Sequence, residues 1–95
     1  MSTRDQDTRR EKRVMFTMHA PVTTESGERF EESSTTDISA LGVRLQLRGQ
    51  IVPGQIVDVY LNPRPERCRV VWTWPNGTDH ELIAGLEFIR PLRDQ

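Results

Sequence analysis

Apolar and polar residues alternate along most of this chain, and that period of two is the feature that most limits how it can fold. The alternation is clearest at Val43, Leu45 and Leu47, and it returns in residues 68–74 and 82–88. No segment shows a convincing apolar period of 3.6 residues, so the pattern does not predict an amphipathic helix. The alternation indicates an all-β protein.

Turn signals divide the chain into about six short strands. They include the dipeptides Ser26-Gly27, Pro53-Gly54, Asn62-Pro63 and Asn76-Gly77, of which the last is typical of a tight hairpin. A sandwich would also accommodate such strands, but closing them into a barrel removes the exposed edges that a small open sheet leaves. We therefore predict a six-stranded antiparallel β-barrel over residues 14–92, preceded by a flexible N-terminal arm over residues 1–13.

One predicted strand carries specific expectations about side-chain direction. It is polar and runs from Phe30 to Ile38. Ile38 shares parity with Phe30 and is expected to point inward, so Asp37 and Ser39 would point outward, roughly 7 Å apart. Gly42 follows shortly after, where it would allow a tight turn or a positive φ and leave bare backbone for a ligand.

Two further strands are predicted from the same alternation. One covers residues 14–22, and the other places Cys68, Val70, Trp72 and Trp74 on one face. A buried position is the ordinary interpretation of such tryptophans. An aromatic platform that stacks on a nucleobase is the alternative for one of them.

The charge distribution limits the partners. Residues 1–13 hold five basic and three acidic side chains, a net charge of +2, whereas the whole chain of 95 residues carries −1, which leaves −3 for the rest. A general nucleic-acid binder would present a strongly basic face. No apolar run approaches the roughly 18 residues that a membrane span needs, and the single cysteine fits a reducing compartment. We expect a cytoplasmic protein that binds no nucleic acid and does not insert into a membrane.

Catalysis has little support in the sequence. His19 and His80 have no serine or cysteine partner at motif spacing, and Cys68 is predicted to be a small buried apolar side chain. These scattered residues do not form a metal site. We predict a protein that is not an enzyme and that carries no cofactor or metal.

Two short motifs give the chain a family resemblance. Arg9 and Arg13 form R-x-x-x-R, and Asp37, Ser39 and Gly42 form D-x-S-x-x-G about 24 residues later. In this order, on a small β-barrel, the pair of motifs resembles the PilZ domain family. The similarity extends from "RREKRVMF" through "DISALGVRLQL" to "IAGLEFIRP", and it covers roughly residues 8 to 91.

The resemblance implies a receptor for the second messenger cyclic di-GMP. In the family, arm arginines grip the phosphates and the guanine edges, and the D-x-S-x-x-G residues meet guanine from the barrel. Guanidinium groups bind phosphate oxygens, or guanine O6 and N7, in pairs. Asp37 can accept hydrogen bonds from guanine N1–H and the exocyclic amine, which would distinguish guanine from adenine. The expected ligand-binding residues are Arg9, Arg10, Arg13, Asp37, Ser39, Gly42 and Arg44.

Several alternatives stay open at this stage. Arg44 is either a ligand contact or a plain surface arginine. Closure of the arm over the ligand would signal to an effector protein of unknown identity, and a homodimer is also compatible with the sequence. A PilZ-like adaptor that binds a protein without nucleotide is the second hypothesis. A barrel for single-stranded nucleic acid is the third, and the acidic body of the chain argues against it.

Overall fold

Every regular element of the computed structural model is a β-strand in the residues it describes, 12–77 and 79–90. Residues 1–11 of the predicted arm lie outside these ranges. The all-β, antiparallel class is confirmed, although the described residues form eight strands rather than six, two of them only two residues long. The strands are β1 (Val14–Met15), β2 (Val22–Thr24), β3 (Arg29–Phe30), β4 (Ser33–Ile38), β5 (Gly42–Arg48), β6 (Ile56–Tyr60), β7 (Pro65–Pro75) and β8 (Glu81–Phe88).

The strands form one sheet whose two ends are joined by the N-terminal stretch of the described chain. The order is β1-β4-β5-β8-β7-β6-β2-β3, and neighbouring strands are antiparallel. Residues 14–20 run along β4, where Ala20 N donates to Ser33 O at 2.8 Å, and β2 then pairs with β6. Residues 14–24 therefore link the two ends of the sheet, which wraps into a barrel. The described residues include no helix with the length and apolar character to cross a bilayer.

The prediction of a single strand over residues 14–22 is wrong. The stretch is divided into β1 and β2, because the chain leaves β4 and crosses to β6 between them. Pro21 lies at the crossing and has no N–H for a ladder. Val22 is fully buried, whereas Val14 and Phe16 are exposed.

The long polar strand predicted from Phe30 to Ile38 is also divided. β3 ends at Phe30 and pairs with β2, and the chain resumes at Ser33 to pair with β5. Ser33 and Thr35 face the interior opposite Leu47 and Leu45. Parity counted from Phe30 therefore does not apply to β4.

The interior of the barrel is filled by small and medium apolar side chains from five strands and the adjoining loops. The fully or almost fully buried ones are Ala20, Val22, Val43, Leu45, Leu47, Ile51, Val57, Val59, Cys68, Val70, Ala84, Leu86 and Phe88. They lie at alternate positions of their strands, so the residues between them point to the other side and form the outer face of the barrel.

Two β-bulges change which side chains reach that outer face. In β4, Thr35 pairs with Leu45 but Asp37 pairs with Arg44, so one residue of β4 is extra. Beyond a bulge of this kind the inward and outward positions exchange. Asp37 consequently shares the outer side with Arg44, and Ile38 packs inward opposite Val43.

The second bulge lies in β7. Val70 pairs with Leu86 and Trp72 pairs with Gly85, which leaves Val71 as the extra residue. Val70 points into the core, whereas Trp72 lies on the outer side. The prediction that Trp72 continues the buried face of Cys68 and Val70 is wrong for this reason.

The hairpin between β7 and β8 is longer than Asn76-Gly77 predicts. Pro75 pairs with Leu82, and Asn76 N donates to Glu81 O at 2.9 Å. Gly77 has a φ of 82°, but positive φ values occur also at Asp79 and His80. The turn therefore extends beyond the two residues that carry its sequence signal.

Candidate functional site

One row of paired residues crosses the outer face of the sheet and contains most of the candidate site. Asp37 on β4 pairs with Arg44 on β5, Arg44 pairs with Gly85 on β8, and Gly85 pairs with Trp72 on β7. The two bulges supply the ends of this row, since they place Asp37 and Trp72 on the outer side. Bulges are often found beside functional sites because they redirect a side chain in this way.

The carboxylate of Asp37 lies between two arginines. Arg13 Nε donates to Asp37 Oδ1 at 2.6 Å, and Arg44 Nε lies 3.3 Å from Oδ2. The Asp37 side chain is only 6% exposed, against 29% for Arg13 and 41% for Arg44. Two guanidinium groups therefore converge on one buried carboxylate at the rim of the site.

Asp37 and Ser39 are not the solvent-exposed residues that the sequence suggested. They do lie on the outer side of β4, but their residue exposures are 4% and 6%. Arg13 and the pairing of β1 with β4 cover them, because β1 places Met15 opposite Asp37. A side chain can therefore face away from a barrel core and still be buried.

Ser39 organises the turn between β4 and β5. Its Oγ accepts hydrogen bonds from Leu41 N at 3.1 Å and from Gly42 N at 3.2 Å, and Arg13 Nη1 donates to it at 3.4 Å. A serine side chain bound to backbone N–H groups in this way is typical of turns. The D-x-S-x-x-G motif thus fixes both a hairpin and an arginine.

Gly42 and Gly85 are required by close approach, not by an unusual backbone conformation. Neither glycine has a positive φ; of the two roles expected of Gly42, the structure shows the tight turn, in which Ser39 N donates to Gly42 O at 2.9 Å. A Cβ at Gly42 would overlap the carbonyl oxygen of Leu86. A Cβ at Gly85 would overlap the indole ring of Trp72, which therefore lies against bare backbone on the outer face.

Both tryptophans lie on the outer side, which excludes the prediction that they fill the core. Trp72 is half-buried, and its ring centroid lies 6.0 Å from the guanidinium carbon of Arg44, within range of a cation–π contact. Trp74 is 65% exposed and pairs with Ile83. Neither tryptophan is therefore a core residue. Arg44 faces the Trp72 ring as well as solvent.

An open cleft of about 540 Å³ lies over this row, which is within the usual size range of small-molecule sites. Its lining residues are Arg13, Leu41, Gly42, Val43, Arg44, Val71, Trp72, Gly85, Leu86, Glu87 and Phe88. The structure thus brings Arg13, Gly42 and Arg44 together at the cleft, with Asp37 and Ser39 behind Arg13. Arg9 and Arg10 lie outside the described residues.

Glu87 also lines the cleft, although no motif in the sequence points to it. Glu87 lies two residues after Gly85 on β8 and pairs with both Gly42 and Arg69. The only signal in the sequence is this spacing from a glycine inside a strand. That spacing becomes informative only when the neighbouring strands are known.

Cys68 and the histidines play no part in this cleft. Cys68 is fully buried, and burial, with Glu66 and Asp58 nearby, raises the pKa of its thiol to about 12, so it is the inert apolar side chain predicted. His19 Nε2 lies 2.7 Å from the carbonyl oxygen of Glu31. Within the described ranges, no group of three or more His, Cys, Asp or Glu residues could hold a metal ion.

The fold and the cleft define a small antiparallel β-barrel with arginines and a tryptophan at a ligand-sized site on its outer face. The model of the PilZ domain family matches residues 7–95, and the chain therefore belongs to the PilZ domain family, as the two motifs predicted. PilZ domains are ligand-binding and adaptor domains; the family includes receptors for cyclic di-GMP, and some members bind no nucleotide. No protein of curated function matches the chain.

Proposed function

We propose that this protein is a receptor for cyclic di-GMP, which it binds in the cleft over the Arg44–Gly85–Trp72 row. The observation that carries the proposal is the convergence of Arg13 and Arg44 on Asp37 beside Trp72, in a domain of the PilZ family. The ligand offers two phosphates and two guanines. The cleft offers guanidinium groups and an aromatic ring.

The arginines suit the phosphates. Arg44 uses Nε for Asp37, and no described residue hydrogen-bonds its Nη nitrogens, which are available for an anion at the rim of the cleft. Arginine binds phosphate oxygens in pairs and remains charged at any physiological pH. Asp37 contributes by holding both arginines in place, since an oriented guanidinium loses less freedom when a ligand binds.

Trp72 suits a guanine base. One side of its ring lies against Gly85, and the ring also lines the cleft. Stacking of a base on an aromatic side chain contributes about 1–3 kcal/mol. We assign Trp72, not the more exposed Trp74, to this role because Trp72 is the tryptophan that lines the cleft.

Arm closure completes the proposed mechanism. Arg13 contacts Asp37, so the segment that closes over the ligand lies before Arg13 and carries Arg9 and Arg10. Amide exchange in residues 4–12 should slow when cyclic di-GMP is added, because a charged segment that folds on binding becomes protected. Protection that is high without ligand and does not rise would exclude arm closure and leave ligand binding itself intact.

Calorimetric titration tests the function directly. We expect heat of binding with cyclic di-GMP, much weaker binding with cyclic di-AMP, and none with a short single-stranded oligonucleotide. Binding of the oligonucleotide alone would favour a nucleic-acid barrel. Cytoplasmic location and the identity of the effector protein stay predictions that this titration does not address.

An adaptor that binds a protein partner without nucleotide is the second candidate. The observation that favours it is the exposure of large apolar side chains outside the cleft, with Met15 at 77% and Trp74 at 65%. The titration also separates this candidate from the first. An adaptor would give no heat with any nucleotide, and its Arg13→Ala variant would bind its partner as the wild type does.

A further inference from the structure

Glu87 occupies a position beside the aromatic platform. It lies on β8 two residues after Gly85, so both point to the outer face and are separated by roughly 7 Å. Trp72 lies over Gly85, and Glu87 lines the same cleft. A planar base stacked on the Trp72 ring would therefore have the Glu87 carboxylate near one of its edges.

The two carboxylates near the cleft differ in how their oxygens are engaged. Both oxygens of Asp37 are engaged by arginines, Oδ1 by Arg13 and Oδ2 by Arg44. The side chain of Arg69 binds Glu87 through Nε at 2.8 Å and through Nη2, and both nitrogens contact the same oxygen, Oε2. In the part of the chain that the structure describes, no residue hydrogen-bonds Oε1 of Glu87. Glu87 thus offers one whole oxygen to the cleft that it lines, whereas both oxygens of Asp37 are engaged and its side chain is buried behind Arg13.

This acceptor matches a feature of guanine that adenine lacks. Guanine presents the N1–H and the 2-amino group side by side, and a carboxylate, which only accepts hydrogen bonds, can receive both. Adenine has an acceptor at N1 and no 2-amino group, so a carboxylate placed for guanine loses both donors and faces the N1 lone pair. We infer that Glu87 is the specificity-determining residue that reads the Watson–Crick edge of a bound guanine. This inference rests on the proposed binding of cyclic di-GMP.

Arg69 acts as a positioning residue in this arrangement. It fixes the Glu87 side chain through Oε2, and its charge offsets a carboxylate that would otherwise oppose phosphate binding at Arg13 and Arg44. The pair is half-exposed, with side-chain exposures of 53% and 42%. Ion pairs of this kind contribute little to stability, so Glu87 can be changed without loss of the fold.

The test combines one substitution in the protein with a ligand that lacks one hydrogen-bonding group of guanine. Glu87→Gln is nearly isosteric and replaces one acceptor with a donor. Glu81→Gln is the matched control, since Glu81 is on the same strand and pairs with Arg48 outside the cleft. Each variant and the wild type is titrated with cyclic di-GMP, cyclic di-IMP, whose bases lack the 2-amino group, and cyclic di-AMP. Melting temperatures verify that all three proteins are folded.

We expect Glu87→Gln to bind cyclic di-GMP about tenfold to a hundredfold more weakly than the wild type, the usual effect of losing a hydrogen bond to a charged group. The wild type should bind cyclic di-IMP less well than cyclic di-GMP, and this difference should shrink to less than about threefold in Glu87→Gln, because contacting groups are coupled. Glu81→Gln should behave as the wild type. Arg69→Lys should keep the preference for cyclic di-GMP over cyclic di-IMP and Arg69→Gln should lose it, which would support the positioning role.

The outcomes separate the two proposals. If the wild type binds cyclic di-GMP and Glu87→Gln keeps the full preference over cyclic di-IMP and cyclic di-AMP, another residue reads the base and only the inference about Glu87 is overturned. If the folded wild type binds none of the three ligands, the receptor function is itself wrong, and the inference falls with it.

Discussion

Two charged clusters on the outer face of the sheet combine arginines and carboxylates in opposite proportions. In the first, two arginines share the carboxylate of Asp37, whose side chain is 6% exposed. In the second, Arg48 lies between Glu32 at 3.1 Å and Glu81 at 3.7 Å. Arg44 and Arg48 are four residues apart on β5 and point to the same side.

The two clusters differ in burial and in the ratio of arginines to carboxylates. In the first, two arginines contact one carboxylate, which is buried and cannot turn away. The second carries one negative charge more than Arg48 can neutralise, and Glu32 reaches freely into solvent. Cross-strand ion pairs of the second kind are ordinary surface chemistry. Of these two clusters, the first alone places two arginines on one buried carboxylate, the arrangement on which the proposed phosphate binding rests.

The largest expected effect on stability comes from substituting Asp37, the central residue of the first cluster. Asp37→Ala should lower the free energy of unfolding by about 2–3 kcal/mol, because it removes the buried carboxylate that two partly buried arginines contact. The range lies below that of fully buried pairs because both arginines reach solvent. Urea denaturation measures the change. An exposed Asp37, as the sequence suggested, would have given a change within about 0.5 kcal/mol, and that result would contradict the burial described above.

The next effect compares the arginines as ligand contacts. Arg13→Ala should weaken binding of cyclic di-GMP by about tenfold to a hundredfold, since it removes charge-assisted hydrogen bonds of about 1.5–3 kcal/mol. Arg48→Ala, its counterpart in the second cluster, should leave the affinity unchanged. Calorimetric titration of both variants with cyclic di-GMP measures the two affinities. Equal losses would mean that the ligand responds to overall charge and not to a defined site.

A smaller effect tests the floor of the cleft. Gly85→Ala adds one methyl group under the Trp72 ring and should destabilise the fold by about 1–2 kcal/mol, in the lower part of the range for overpacking because the ring can shift outward. Trp72 fluorescence, recorded in a Trp74→Phe background, should change. Glu81→Ala on the same strand should leave that signal unaltered. An unchanged spectrum in Gly85→Ala would mean that the ring does not lie on Gly85.

The smallest effect concerns the second cluster. Glu32→Ala should change the free energy of unfolding by less than about 0.5 kcal/mol, and the change should fall further in 1 M salt, because exposed ion pairs are weak and screened. Urea denaturation at low and high salt measures both values. A loss comparable with that of Asp37→Ala would remove the distinction between the clusters.

The sequence predicted the parts of this structure that depend on local alternation. The apolar positions of β5 were assigned to the core from the sequence alone, and Arg44 to the outer face. The positions of Trp72 and Ser33 were not predictable in this way. A bulge is defined by how a strand pairs with its neighbour. Val71 is β-branched, so within its own segment it is indistinguishable from an ordinary strand residue.

The sequence predicted several residues of the candidate site but not how they are arranged. The two motifs identified Arg13 and Asp37, which are 24 residues apart in the sequence and 2.6 Å apart at their closest atoms. The burial of Asp37 depends on how Arg13 and β1 cover β4, and no spacing in the chain encodes that. Glu87 lies in no motif and was found only when β8 was paired with its neighbours.

The bulge in β4 also determines how the site responds to the loss of a residue. Thr36 has no counterpart on β5, so its deletion would remove the bulge and leave Asp37 directly after Thr35, still on the outer side and still opposite Arg44. β5 contains no such spare residue against β8, and losing Gln46 would exchange the inward and outward positions on one side of the deletion. A three-base deletion is therefore far less damaging at Thr36 than in the middle of the neighbouring strand.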